Sequence, residues 1–330
     1  MLTTLQSVIL GLVEGITEYL PVSSTGHLII TSGLLGLQKS PELTDAVDDF
    51  EIVIQSGAIL AVVGLYWPRF VQMLRGLVGS DPRGRKLLIN LFIAFLPAAV
   101  IGILVHSFIK KHLFSLWPVV GAFVVGGVFM IVVDRLVIAP QRRASRSTVV
   151  PGTLRGGAAS GRADGLQNLS PLQSLFIGFM QVFSMWPGTS RSMMTICGGV
   201  IAGLSAEAAA EFSFLLGVPT LLGATVLGLY KNIKHAHAEH TGNLFQTLGV
   251  TSCVVGMLVA AVSAAIAVKW LVAFLNKHGL TGFGIYRILL ALALIGLVNR
   301  GMVTVETDEP APAKSAAVAP PTAGGTSATR

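Results

Sequence analysis

The sequence predicts an all-α polytopic membrane protein, with six transmembrane helices and two re-entrant helical hairpins in an inverted-topology repeat. Three observations predict it. The 330 residues are 52% hydrophobic and only 12% charged, against about 25% charged in an ordinary soluble domain. Several apolar runs reach the roughly 18 residues that cross a bilayer. Two further apolar segments are broken in the middle by proline and hydroxyl residues.

Taken in order, the first broken segment is 5–37, with VSSTGH following Pro21. Spans are expected near 50–67, 87–107 and 118–138. The second broken segment is 171–203, interrupted by PGTSRS at 187–192. Spans near 211–230, 247–272 and 282–299 follow. A backbone break in lipid leaves peptide groups unpaired, so it survives only inside protein or beside a wet cavity. Both segments are therefore read as hairpins that enter and leave on one side. The spans are many and evenly spaced, which predicts a single membrane domain over 1–300. Residues 301–330, with their PAPAKSAAVAPPTAGG run, lack the apolar content to fold and are expected to be disordered.

Charge sets the topology. Arg69, Arg75, Arg83, Arg85 and Lys86 fall in 68–86, and Arg142, Arg143, Arg146, Arg155 and Arg162 fall in 139–170. Two spans separate these loops, so they share a side, and the positive-inside rule makes it the cytoplasm. The Gly-, Ala-, Ser- and Arg-rich 139–170 is expected to be mobile. The acidic stretch 38–49, both chain ends and the first hairpin then lie outside. The net charge of +7 is read as basic loops against an anionic membrane surface rather than as a nucleic-acid footprint. Glu14 and Glu18 interrupt the first apolar run, and no basic region precedes it, so it does not resemble a cleaved signal peptide. Cys197 and Cys253 lie in apolar segments and read as small buried residues.

The broken segments resemble each other. LQSVILGLVEGITEYLP (5–21) aligns with LQSLFIGFMQVFSMWP (172–187), Gly11 falling on Gly178 and Glu14 on Gln181. With one residue deleted, Pro21 meets Pro187 and Ser24 meets Ser190. DDFEIVI (48–54) likewise resembles AEFSFLL (210–216). Repeat one covers about 1–138 and repeat two about 171–300. Three spans per half invert the second copy and bring the two breaks together at a pseudo-twofold axis.

The breaks hold the chemistry. Glu14 and Glu18 are one helical turn apart on one face. In a soluble helix they would be a solvated face, but intramembrane acids usually face a cavity and act there. A divalent cation would relieve their repulsion, and hard oxygen ligands suit Mg²⁺ or Ca²⁺. Pro21 should end the first half-helix near Leu20. Ser23, Ser24 and Thr25 can cap the next one, yet three hydroxyls and His27 exceed what capping needs. The open N-terminus would bind an anion. Arg191 can snorkel or pair with an acid; it can also fork onto a phosphate, helped by Gly188, Thr189 and Ser190. An acid pair, a hydroxyl, a histidine and an arginine suit phosphate-ester chemistry. His235, His237 and His240 could hold a metal loosely but read better as a solvated loop, and Asp134 and Arg135 read as interface anchors. Arg287 either snorkels or contacts the site.

VEGITEYLPVSSTGH (13–27) and PGTSRSMMT (187–195) resemble the two signature motifs of the undecaprenyl-diphosphate phosphatases, the bacitracin-resistance protein family. DDFEIVIQSGAILAV (48–62), AEFSFLLGVPTLLGA (210–224) and GIYRILLA (284–291) are also similar to that family. The resemblance covers roughly 1–300. It places the family's acid motif on Glu14 and Glu18, its serine-rich motif on Ser23, Ser24, Thr25 and His27, and its arginine motif on Ser190 and Arg191. It implies hydrolysis of undecaprenyl diphosphate to the monophosphate and inorganic phosphate, in the bacterial inner membrane; the charge count puts the first hairpin outside, so the site should open to the periplasm. The expected mechanism has Glu14 and Glu18 on a divalent cation, Arg191 on the transferred phosphoryl, Ser24 attacking or orienting a water, and His27 moving the proton. A homodimer is compatible with this reading. The rival from another class is a transporter or flippase of a polyprenyl phosphate lipid, because inverted repeats with broken helices are a common transporter plan.

Overall fold

The computed structural model describes residues 2–113, 115–147, 165–239 and 244–305. Within the 139–170 loop, residues 148–164 lie outside that description, as do the side chains of His235, His237 and His240 and the tail from 306.

Among the described residues all regular structure is helical. Helix α1 is Thr4–Thr17 and α2 is Ser24–Leu34; α3 is Pro41–Leu65 and α4 is Trp67–Leu77; α5 is Pro82–Leu113 and α6 is Leu116–Val133. In the second half α7 is Pro171–Phe183, α8 is Arg191–Ile201, α9 is Ala206–Glu239, α10 is Val250–His278 and α11 is Thr281–Asn299. Short helices at Ala139–Ser147, Gly165–Asn168 and Leu244–Leu248 connect them. Five helices are long and apolar enough to cross a membrane, or six when the bent α3–α4 pair counts as one span. The chain is a polytopic membrane protein.

The two broken segments are each two short helices. Helices α1, with 14 residues, and α2, with 11, rise only about 21 and 16 Å at 1.5 Å per residue. Neither spans a hydrocarbon core of about 30 Å. Helices α7 and α8 have 13 and 11 residues.

The halves repeat in detail. A capping box opens α1 through Thr3 and Gln6, and a second opens α7 through Ser170 and Gln173. Among the described residues only two non-glycine residues have positive φ: Ser23 at 75° and Ser190 at 77°. Each immediately precedes its second half-helix. Leu5 to Leu172 and Ser23 to Ser190 are the same step of 167 residues. The repeat therefore runs without a gap through both breaks, which corrects the register that paired Pro21 with Pro187 and Ser24 with Ser190. Ser24 is equivalent to Arg191. The prolines misled because each marks its break from a different position in the turn.

Packing crosses between the halves. Helix α1 lies on α10 of the second half, and α7 lies on α5 of the first. The approaches are close: a β-carbon on Gly11 would stand 2.5 Å from the Gly256 carbonyl oxygen, and one on Gly178 would stand 2.4 Å from that of Ala94. Small residues at such crossings let helix backbones touch in lipid, where van der Waals packing is the main attraction.

Two local expectations change. The 68–86 loop contains α4, which leaves α3 at 76°. Pro68 occupies a first-turn position that proline favours, and Trp67, Phe70, Leu74 and Leu77 recur at helical spacing. Asp134 is not an interface anchor. It is buried on a π-helical turn over Asp134–Ile138, pairs with Arg142 at 3.1 Å and accepts hydrogen bonds from Thr281.

Candidate active site

The site forms where the two breaks meet. Glu18 caps the C-terminus of α1 and is buried. The chain turns through 19–23 and starts α2 at Ser24. Positive φ at Ser23 reverses the backbone within that turn, and Ser24 comes back over the carboxylate it has just passed. Its Oγ donates to Glu18 Oε2 at 2.7 Å.

The second break supplies the other partner. Arg191 is the first residue of α8, and its Nη2 donates to Glu18 Oε1 at 3.1 Å. Its Nη1 donates to the Ser213 carbonyl at 2.9 Å, and its guanidinium carbon lies 5.6 Å from the Tyr19 ring centroid. Its Nε is buried without a partner. Space for this head group exists because residue 217 is glycine; a β-carbon there would stand 2.7 Å from Nη1. Glu18 thus uses one oxygen on the serine and the other on the arginine.

Further contacts fix the two loops. Ser192 Oγ donates to the Leu20 carbonyl at 2.8 Å, tying the second break to the first. Ser190 Oγ accepts from the Met193 N–H and exchanges a hydrogen bond with Ser192. Thr195 and Ser213 share a hydrogen bond of 2.6 Å beneath Arg191. The Tyr19 hydroxyl donates to the Ala58 carbonyl at 3.1 Å. Thr189 is buried, Thr25 half-buried, and the Gly188 carbonyl accepts from Arg287.

His27 sits elsewhere than the expected proton route. Its Nδ1 is 2.7 Å from the Ser23 carbonyl and its Nε2 is 2.7 Å from the Tyr286 hydroxyl, with the two rings stacked. No hydrogen bond joins it to Ser24. It faces a cavity of about 490 Å³ whose walls include Ile16, Leu20, Phe274, Phe283 and Tyr286.

Glu14 lies one turn before Glu18 and is buried, and its Oε2 has no hydrogen-bond partner. A buried carboxylate oxygen left unpaired is costly. Among the described residues no three His, Cys, Asp or Glu side chains are grouped to hold a metal. Two carboxylates with an unsatisfied oxygen fit Mg²⁺, which takes one or two protein carboxylates and completes its shell with water and phosphate. They fit Ca²⁺ less well, because it takes six to eight oxygens.

Tyr19, Ser192, Ser213 and Tyr286 were not singled out from the sequence. Ser192 had a signal, as a further hydroxyl in the broken stretch; the other three make contacts visible only in three dimensions.

Comparison with known proteins gives the family. A family described as bacitracin resistance protein BacA matches residues 7–293. The undecaprenyl-diphosphatase of Sorangium cellulosum is 43% identical over 291 residues, 88% of this chain and 85% of that protein. Undecaprenyl-diphosphatase 2 of Rhodospirillum rubrum is 40% identical over 300 residues, 91% and 97% of the two chains. The undecaprenyl-diphosphatase of Methylobacillus flagellatus is 38% identical over 295 residues, 89% and 98%. With two signature breaks folded onto one carboxylate and a family match over most of its length, the chain belongs to the bacitracin-resistance protein BacA family.

Proposed function

We propose that this protein hydrolyses undecaprenyl diphosphate to undecaprenyl phosphate and inorganic phosphate, and so renews the lipid carrier of cell-wall synthesis. The observation that carries this reading is the Ser24–Glu18–Arg191 contact between the two breaks, in a chain whose relatives are undecaprenyl-diphosphatases. Broken, repeated helices are shared with transporters, and the relatives' names favour hydrolysis over a transporter that leaves the diphosphate whole.

In this reading Ser24 Oγ attacks the terminal phosphorus. The Oγ–P bond forms, the bridging P–O bond breaks, and undecaprenyl phosphate leaves. Glu18 Oε2, already in hydrogen-bond contact with Oγ, accepts the serine proton. A water then attacks the phosphoseryl phosphorus, the Oγ–P bond breaks, the water's protons leave with the phosphate, and Glu18 returns its proton to Ser24. Arg191 holds the phosphoryl oxygens through its unpartnered Nε and stabilises the charge spread over them. Ser23, Thr25, Gly188, Thr189 and Ser190 line the anion's place at the two helix N-termini. His27, held through Nδ1 on the Ser23 carbonyl and through Nε2 on the Tyr286 hydroxyl, borders the apolar cavity; in this reading it fixes the first break beside the lipid phosphate rather than deprotonating the serine. Glu14 and Glu18 are the residues that would hold a divalent cation, with Mg²⁺ suiting them better than Ca²⁺. Bound there, the ion supplies charge neutralisation on the diphosphate.

The basic residues after α4 and α6 support a cytoplasmic position for those ends, and hence a site open to the periplasmic face of the inner membrane. The test of function is phosphate release from undecaprenyl diphosphate by purified protein, with and without chelator, beside Ser24→Ala. Trapped phosphoserine at position 24 supports direct attack; turnover by Ser24→Ala near the wild-type rate rules it out.

A further inference from the structure

Arg287 is fully buried in the last membrane helix, and no ion pair found among the described residues includes it. A guanidinium without a carboxylate inside a membrane span is costly and marks a functional place. Its Nη2 donates to two carbonyls: Ala122 of α6 at 2.9 Å, and Gly188 in the second break at 2.7 Å. Gly188 has φ +90° and lies two residues before Ser190. Its carbonyl is off any helix ladder, so the arginine is what satisfies it.

The same head group reaches the first break through a ring. The Arg287 guanidinium carbon lies 5.3 Å from the centroid of Phe123. Phe123 is fully buried, and its ring tip points at Gly26, where a β-carbon would stand 2.1 Å from Cζ. On the opposite flank Gly126 makes room, since a β-carbon there would stand 2.7 Å from Arg287 Nη2. Loop two, guanidinium, ring and loop one therefore form one packed stack. Arg287 touches neither Glu18 nor Ser24.

We infer that Arg287 is a positioning residue: through Gly188 and Phe123 it sets the distance between the two breaks, and so keeps Arg191 and Ser24 on the same carboxylate. The inference rests on the site reading given above. One nitrogen, Nη2, serves both carbonyls, so a lysine has donors enough for them, but it lacks the planar head group that packs on the Phe123 ring. Displacing a reacting group by about 1 Å costs on the order of 10²-fold in rate.

The experiment compares wild type, Arg287→Lys and Phe123→Leu by hydrogen exchange and by steady-state turnover of undecaprenyl diphosphate. Arg287→Lys is expected to speed exchange in 22–27 and 186–191 while leaving the long spans as protected as in wild type. It should lower kcat by on the order of 10²-fold with little change in KM. Phe123→Leu should loosen the same two segments, and adding it to Arg287→Lys should cost less than the two losses combined, because both act through one stack. Unchanged exchange at both breaks in Arg287→Lys overturns the inference, as does a loss seen only in KM. If Arg287→Lys fails to fold, Phe123→Leu alone decides, and unaltered exchange at 186–191 overturns the inference. Exchange does not depend on turnover, so an inactive wild type would count against the hydrolase reading and leave this test standing.

Discussion

Ser24 and Arg191 are the same residue of a duplicated element, and both contact one carboxylate, Glu18. Each is the first residue of a short helix that follows a serine with positive φ. One copy presents a hydroxyl 2.7 Å from Glu18 Oε2, the other a guanidinium 3.1 Å from Oε1. The two turns match in φ at their serines, and the side chains that follow take different roles.

Glu18→Gln is expected to abolish turnover nearly completely while the protein stays folded. The amide keeps the shape and can still accept from either neighbour, but it cannot take the Ser24 proton. General base catalysis is worth about 10²–10⁴-fold. Phosphate release by the purified variant measures this, and a rate within a few-fold of wild type would remove Glu18 from the base role.

Arg191→Lys is expected to lose on the order of 10³-fold in kcat, by the scale of arginine fingers. The lysine can keep a charge near Glu18 but cannot also serve the Ser213 carbonyl and a phosphoryl oxygen with a rigid fork. A variant that keeps most of its kcat would show that position 191 needs only a positive charge.

Glu14→Gln separates stability from activity. The wild-type carboxylate is buried with an unpaired oxygen, so a neutral amide should leave the melting temperature equal or higher. Turnover should fall, and the concentration of Mg²⁺ that restores half-maximal activity should rise. A lower melting temperature with unchanged metal response would make Glu14 a purely structural residue.

Gly15→Ala should destabilise by roughly 1–3 kcal/mol through overpacking. The new β-carbon would stand 2.4 Å from the Ala260 carbonyl oxygen and 2.1 Å from Ser263 Oγ, so α1 must move off α10. Thermal unfolding in detergent measures the loss. Because α1 carries both glutamates, turnover should fall with it.

Asp81 precedes α5 and accepts the Gly84 and Arg83 N–H groups at 3.0 and 2.9 Å. Chiefly the Gly84 hydrogen bond holds its carboxyl below the usual carboxylate range. A depressed folded value means the stabilisation is present above the unfolded pKa of about 3.9 and is lost as pH falls through the folded value. The melting difference between wild type and Asp81→Ala should therefore be constant near neutral pH and narrow on acidification below about pH 4.

Much of this is legible in the sequence. Apolar runs long enough to cross a bilayer announce themselves, and so does a proline with hydroxyls where lipid should be. Glu14, Glu18, Ser24 and Arg191 drew attention because of where they lie. What was not readable is what depends on turn geometry or on distant partners. Ser24 meets Glu18, six residues away, only because Ser23 reverses the backbone. His27 meets Tyr286 across 259 positions. Helix α4 was hidden because its pattern is amphipathic rather than apolar, and its arginines read as a loop. The repeat register slipped because matching prolines look more persuasive than an ungapped count.

The two breaks also move peptide ends from the surface of the membrane to its interior. An ordinary span leaves its unsatisfied N–H groups at the water's edge, whereas α2 and α8 begin beside Glu18, within the protein. Their partial positive charge belongs to the main chain, and no point mutation removes it. Variants stripped of their catalytic side chains should accordingly still attract a diphosphate head group, losing turnover long before they lose affinity. In the proposed reading, the part of the anion's grip that substitution leaves in place is the backbone.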